Sequence, residues 1–131
     1  MTYLLDTDWF INGLEGTGNY PERLRTLRPE GIAVSSVSIA EVLTGIVDES
    51  DEEERRSVLS EFLAPLTEIP FDHMVIDRFA RIRKDLLRKH TPLENFDIAI
   101  AATALEYDLT LLTDNTEHFK RVKGLKLLKR R

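Results

Sequence analysis

The sequence predicts an α/β fold, a parallel sheet flanked by helices, for this chain of 131 residues. Two observations predict it. Short apolar runs alternate with longer stretches of helical periodicity throughout, the pattern of strand–helix–strand units. No linker, internal repeat or low-complexity stretch interrupts that alternation, and the length suits one hydrophobic core, so a single domain over residues 1–131 is expected.

The elements follow in order. Tyr3-Leu4-Leu5 reads as a first strand, closed by Asp6. A short helix is expected over residues 7–14, broken by Gly16-Thr17-Gly18-Asn19, and another over 21–27. The second has Pro21 at its start, where a missing N–H does no harm, and Pro29 beyond its end. Ile32-Ala33-Val34-Ser35 is a second strand, and Ile39, Val42, Leu43 and Ile46 place a helix over 38–47. Residues 51–63 form the next helix, with acids in the first turn where the dipole favours them and Pro65 just past the end. Thr67-Glu68-Ile69 is a short strand. Val75, Phe79, Ile82 and Leu86 mark a long amphipathic helix ending before Pro92. Ile98, Ala101, Ala102 and Leu105 mark a helix rich in small residues, suited to close packing on the sheet. Residues 109–112 and 125–128 supply the last two strands.

Composition narrows the function classes. A 42% hydrophobic and 31% charged chain is globular, not a disordered tail. No apolar run approaches the span of a bilayer, and Asp6 arrives too early for a signal peptide, so no membrane partner is expected. The absence of cysteine excludes disulfides and thiolate metal sites and fits a cytoplasmic location. The three histidines, His73, His90 and His118, show no helical metal-ligand spacing. A metal here must be held mainly by oxygen, which favours Mg²⁺ or Mn²⁺.

The net charge of −5 argues, by itself, against a nucleic-acid partner. Its distribution softens that. Acid is concentrated in residues 48–54, whereas the tail carries Lys120, Arg121, Lys123, Lys126, Lys129, Arg130 and Arg131 without any acid from 120 onward. Arg78, Arg81, Arg83, Lys84, Arg88 and Lys89 form a second basic group. Each group reads either as solvated surface or as RNA contact.

Position makes four acids informative. Asp6 ends the first strand, Glu41 lies early in the helix after the second, Asp97 opens the helix leading into the fourth, and Asp114 ends that strand. In open parallel sheets the ligand site lies beyond the carboxyl ends of the strands, where strand order reverses. Taken singly, each acid has a structural explanation. Asp6, Asp97 and Asp114 could be helix caps, and Ser38-Ile39-Ala40-Glu41 fits a capping box. Caps need not converge, however, and four convergent carboxylates require a compensating cation. A hard cation there can polarise a phosphodiester oxygen and activate a water for in-line attack, with one or two ions equally compatible with the sequence. His118 is either a surface residue or a phosphate contact. Trp9 is either core or a base-stacking platform.

These residues resemble the PIN-domain family, in particular the VapC-type toxin ribonucleases of VapBC toxin–antitoxin systems. Leu4-Leu5-Asp6-Thr7-Asp8 is similar to the family's opening motif, and the run from Val34 to Gly45, with Ser38 and Glu41, to its second. Asn95-Phe96-Asp97-Ile98-Ala99-Ile100-Ala101-Ala102 is similar to the third. Leu112-Thr113-Asp114-Asn115-Thr116-Glu117-His118-Phe119, followed by Val122 to Leu125, is similar to the fourth. The resemblance implies a three-layer α/β/α domain with a five-stranded parallel sheet, an Mg²⁺ or Mn²⁺ site, endonucleolytic RNA cleavage, a homodimer and a cognate antitoxin. It implies that Asp6, Glu41 and Asp97 are metal ligands or organisers. Asp114 and Asn115 compete for the fourth position, and Thr7, Ser38 and Thr113 support the carboxylates. Asp8 is either part of the site or a helix cap.

Two other readings stay open. Asp6-Thr7-Asp8 after a strand also fits aspartyl-phosphate phosphatases of the haloacid dehalogenase type, with Asp6 as nucleophile and Asp8 as acid/base. That reading leaves Glu41 without a task and lacks a downstream lysine motif. A non-catalytic PIN-like binding domain is the other.

Overall fold

A computed structural model describes all residues, 1–131. Its sheet has five strands, β1 Tyr3–Leu5, β2 Ile32–Ser35, β3 Thr67–Ile69, β4 Thr110–Leu112 and β5 Leu127–Leu128. All pairings are parallel, in the order β3-β2-β1-β4-β5. The chain winds outward from β1 through β2 to β3, then returns to place β4 on the other side of β1. Strand order therefore reverses between β1 and β4, and the ligand crevice of such sheets opens there.

Seven helices cover the sheet: α1 Thr7–Glu15, α2 Tyr20–Leu27, α3 Ser36–Thr44, α4 Glu52–Leu63, α5 His73–Arg88, α6 Asn95–Glu106 and α7 Thr116–Phe119. Period-two alternation in the strands explains the two layers. Leu4, Ala33 and Leu111 point to one face and pack with Leu86, Ile98, Ala101, Ala104 and Phe119. Their strand neighbours Leu5, Val34 and Leu112 point to the other, against Trp9, Phe10, Leu24, Val42 and Leu59. A parallel sheet buried on both faces has no solvent side, and so β2 is buried at every residue.

Every residue of α6 from Ile98 to Ala104 is buried. The alanines make this possible, because a helix of small residues can lie close to the strands while α5 packs over its outer side. The amphipathic stripe of α5, with Phe79, Ile82 and Leu86, provides that cover.

The expected elements are present, with shifted ends. The helix α3 begins at Ser36, two residues early, because the Ser35 hydroxyl accepts the Val37 N–H and caps it. The last strand contracts to two residues. Two short elements were not anticipated, a 3₁₀ turn at Arg28–Glu30 that takes Pro29 and the four-residue α7. No helix is long and apolar enough to cross a membrane.

Candidate active site

Asp6 leaves β1 in an extended conformation and caps α1, its Oδ1 accepting the Thr7 N–H at 2.8 Å. Its Oδ2 accepts the hydroxyl of Thr113, the first residue beyond β4, at 2.7 Å. The Thr113 hydroxyl in turn accepts the Asn115 N–H at 3.0 Å. Both Asp6 and Thr113 are buried, so the two strands flanking the reversal point are joined by a polar chain under the cavity floor. Capping and site membership, alternatives in the sequence, are combined in Asp6.

Glu41 reaches the same place from α3. Thr7 lies within 2.8 Å of Glu41 Oε1 and 3.2 Å of the buried Ser38 Oγ. A hydroxyl has one proton, so Thr7 donates to the carboxylate and Ser38 donates to Thr7. Because Ser35 is the cap of α3, Glu41 has no capping-box duty. Asp97 sits half-buried in the first turn of α6, near the positive end of that helix.

Asp6, Glu41 and Asp97 line one cavity of about 440 Å³, together with Thr7, Asp8, Glu94, Asn115, His118 and Arg121. Asp8 therefore belongs to the cavity wall and not to the cap. Glu94 and Arg121 were not singled out in the sequence. Glu94 precedes Asp97 by one helical turn, a spacing that could have flagged it; Arg121 is hidden in a long basic tail.

The electrostatics fit a site in which acids outnumber basic side chains. Burial pushes the Asp6 carboxyl up from 3.8 to about 6, against hydrogen bonds from Thr113 and Thr7, with Asp8 and Asp97 adding repulsion. Burial also raises Asp97, as do Glu41, Glu94 and Asp8, while His118 offsets part of the effect. No three of these side chains stand close enough together to form a closed ligand set. The arrangement is an acidic basin. Mg²⁺ retains several waters and takes few carboxylates directly, so an open basin of oxygen donors fits it better than a cage would.

Asp114 does not join the basin, contrary to its place in the expected quartet. Its carboxylate accepts from Tyr20 Oη at 2.8 Å, Trp9 Nε1 at 3.3 Å and the Arg130 N–H at 2.8 Å. The Arg130 guanidinium stands 3.5 Å away and lies over the Tyr20 ring, 4.3 Å from its centroid. Partial burial pushes Asp114 up, but these hydrogen bonds and the arginine outweigh it and hold the carboxyl below its usual range. Asn115, the rival for the fourth position, is the residue that lines the cavity. Trp9 is fully buried among the core and cannot offer its face to a base. Several of the basic side chains are engaged with neighbours: Arg78 with Glu106, Arg81 with Asp77, Lys89 with Asp85, Lys120 with Glu117 and Lys126 with Asp108.

Two outcomes follow from these contacts. Unfolded, Asp6 ionises near 3.8; folded, near 6. Its favourable contribution to stability is complete below about pH 4 and lost as pH rises through 6, a penalty on the order of 3 kcal/mol at neutral pH. Asp6→Asn should therefore raise the melting temperature of the metal-free protein at pH 7, and the gap should close by pH 4. Equal melting curves at pH 7 would refute the buried-charge assignment. Asp114→Asn should destabilise by about 1–3 kcal/mol in urea titration, since it strands buried donors, while leaving Mn²⁺ affinity unchanged. A tenfold loss of Mn²⁺ affinity with unaltered stability would return Asp114 to the basin.

Comparison with known proteins agrees with this geometry. The PIN domain profile matches residues 3–125. Ribonuclease VapC2 of Rickettsia felis is 31% identical over 127 residues, 95% of each chain. The tRNA(fMet)-specific endonuclease VapC of Salmonella typhimurium is 27% identical over 97% of this chain and 96% of its own. Among solved structures, VapBC2 from Rickettsia felis bound to a DNA fragment from their promoter superposes with a TM-score of 0.91 at 29% identity, covering 100% of both chains. With the fold, the acid positions and these likenesses in agreement, the chain belongs to the PIN-domain family, in its VapC group.

Proposed function

We propose that the chain is an endoribonuclease dependent on Mg²⁺ or Mn²⁺ and acts as the toxin of a VapBC-type toxin–antitoxin pair. One observation carries the reading: Asp6, Glu41 and Asp97, brought from three elements far apart in sequence, share a cavity at the point where strand order reverses. The names of the similar proteins, a ribonuclease and a transfer-RNA endonuclease, support the chemistry. Membership of the PIN family leaves the phosphatase reading without support.

Asp6, Glu41 and Asp97 would hold the cation, with Asp8 and Glu94 adding negative potential at the rim. A bound divalent ion supplies charge neutralisation for the phosphodiester and acidifies water beside it. The chain's own contribution is placement. Thr113 and the Thr7 amide fix both oxygens of Asp6, and Thr7, backed by Ser38, fixes Glu41. Carboxylates held in this way need no reorganisation when substrate arrives. Water attacking opposite the 3′ oxygen breaks the P–O3′ bond and leaves a 5′-phosphate and a 3′-hydroxyl.

The antitoxin reading rests on the VapBC assembly of the similar structure and on a groove beside Glu41. Ile11, Leu14, Val42, Ile46 and Val58 line it, with Glu15, Asp51 and Glu54 among its acids. An amphipathic segment with basic residues fits such a surface.

The test is cleavage of a mixed RNA substrate by the purified chain. EDTA should abolish cutting, and Mg²⁺ or Mn²⁺ should restore it. Asp97→Asn should lower the rate by two orders of magnitude or more at a melting temperature no lower than that of the unaltered chain. Full activity in EDTA or in the Asp97→Asn protein would refute the metal site, and 2′,3′-cyclic ends would refute attack by water.

A further inference from the structure

We propose that His118 and Arg121 form a wall of the cavity that grips an RNA phosphodiester directly, independently of any cation, with His118 donating through Nε2. This rests on the ribonuclease reading and specifies how its substrate is held.

The need is electrostatic. Asp6, Asp8, Glu41, Glu94 and Asp97 all line the cavity, and each repels an incoming phosphate. The Thr7 hydroxyl is committed to Glu41 and one N–H of the Asn115 side-chain amide to His118. His118 and Arg121 are the basic side chains of the lining, and both keep N–H groups for a ligand.

His118 is exposed, lines the cavity, and meets the Asn115 Nδ2 at Nδ1, 2.8 Å away. An amide N–H directed at Nδ1 makes that nitrogen the acceptor, so the neutral ring has its proton on Nε2. The ring is thereby a donor without needing to be charged. It is also tied to the acids, since Asn115 bonds Thr113 and Thr113 bonds Asp6. Three hydrogen bonds thus set the imidazole's place relative to the buried carboxylate.

Arg121 follows His118 by one turn, its N–H donating to the His118 carbonyl at 3.2 Å. Its Nη1 donates at 2.9 Å to the carbonyl of Pro92, which also lines the cavity. A neutral carbonyl tethers the side chain without cancelling its charge. Arg121 forms no ion pair, although acids line the same cavity, whereas Lys120, Lys126 and Arg130 nearby in sequence are all paired. A tethered, uncancelled guanidinium presents a planar fork that matches phosphate oxygens.

The test is binding of a fluorescein-labelled single-stranded RNA to the full chain in EDTA, by anisotropy over a range of KCl. Arg121→Ala should weaken binding about tenfold and lower the salt slope by about 0.7, the value for one phosphate contact to a single strand. His118→Ala should weaken it about three- to tenfold, the loss of one hydrogen bond to phosphate. His118→Gln, which keeps an N–H at a similar reach, should recover most of the loss. Mn²⁺ affinity should be the same in all variants, and cleavage in Mn²⁺ should show a raised KM at similar kcat. Wild-type affinity and slope in both alanine variants, or a loss of Mn²⁺ affinity, overturns the wall while leaving the ribonuclease reading intact. A wild-type chain that neither binds nor cuts RNA removes both.

Discussion

A carboxylate that is buried, ionisable and fixed at both oxygens is the constraint around which this edge of the molecule is built. Asp6 lies at the seam between β1 and β4, and burial raises its pKa to about 6. A protein normally avoids leaving a charge there without compensation. The side chain nevertheless has work at the seam: the Thr113 hydroxyl and the Thr7 N–H both need an acceptor, and Asp6 supplies one oxygen to each. Electrostatic penalty and polar satisfaction are therefore coupled in one side chain. A compensating cation would relieve the first without disturbing the second.

The parallel sheet explains why further acids gather at the same edge. All five strands point their carboxyl ends one way, so the helices that follow them begin there. Those helix starts deliver Thr7, Ser38 and Glu41 to a common region. Asp97 arrives by a different route, since α6 precedes its strand and must run back with its first turn at that edge. Its alanine-rich body allows this, because side chains of that size let the helix lie deep between α5 and the sheet. Packing in one layer and charge in the cavity are thus linked through residue size. Bulkier residues at Ala101 or Ala104 would push the helix outward and carry Asp97 with it.

The strand positions and the acids Asp6, Glu41 and Asp97 were legible in the sequence because each depends on a local signal. Periodicity marks β1, so Asp6 after it must face the edge, and it marks α3 and α6, in whose early turns Glu41 and Asp97 lie. The cap of α3 was misplaced because Ser35, Ser36 and Ser38 are all competent caps, and only the strand's end decides among them. Glu94 and Arg121 were missed for a different reason. Glu94 carried only its one-turn spacing from Asp97, and the role of Arg121 depends on the Pro92 carbonyl that tethers it, which has no pattern in sequence. The basic groups were ambiguous for a related reason: whether a lysine or arginine meets RNA or a neighbouring acid depends on partners such as Glu106 and Asp108 that spacing does not reveal.

Asp114 and Asn115 show how a single position separates structure from chemistry. Consecutive residues leaving a strand project to different sides. The first of them meets Trp9, Tyr20 and Arg130 and there fastens the C-terminal segment to α1 and α2. The second meets the cavity and His118. Exchanging the two would put a charge in a basin already short of cations and leave the Trp9, Tyr20 and Arg130 donors with an amide that can accept fewer of them. The order Asp-Asn is therefore the arrangement that serves both sides: full charge where an arginine balances it, and a neutral amide where its N–H can orient an imidazole.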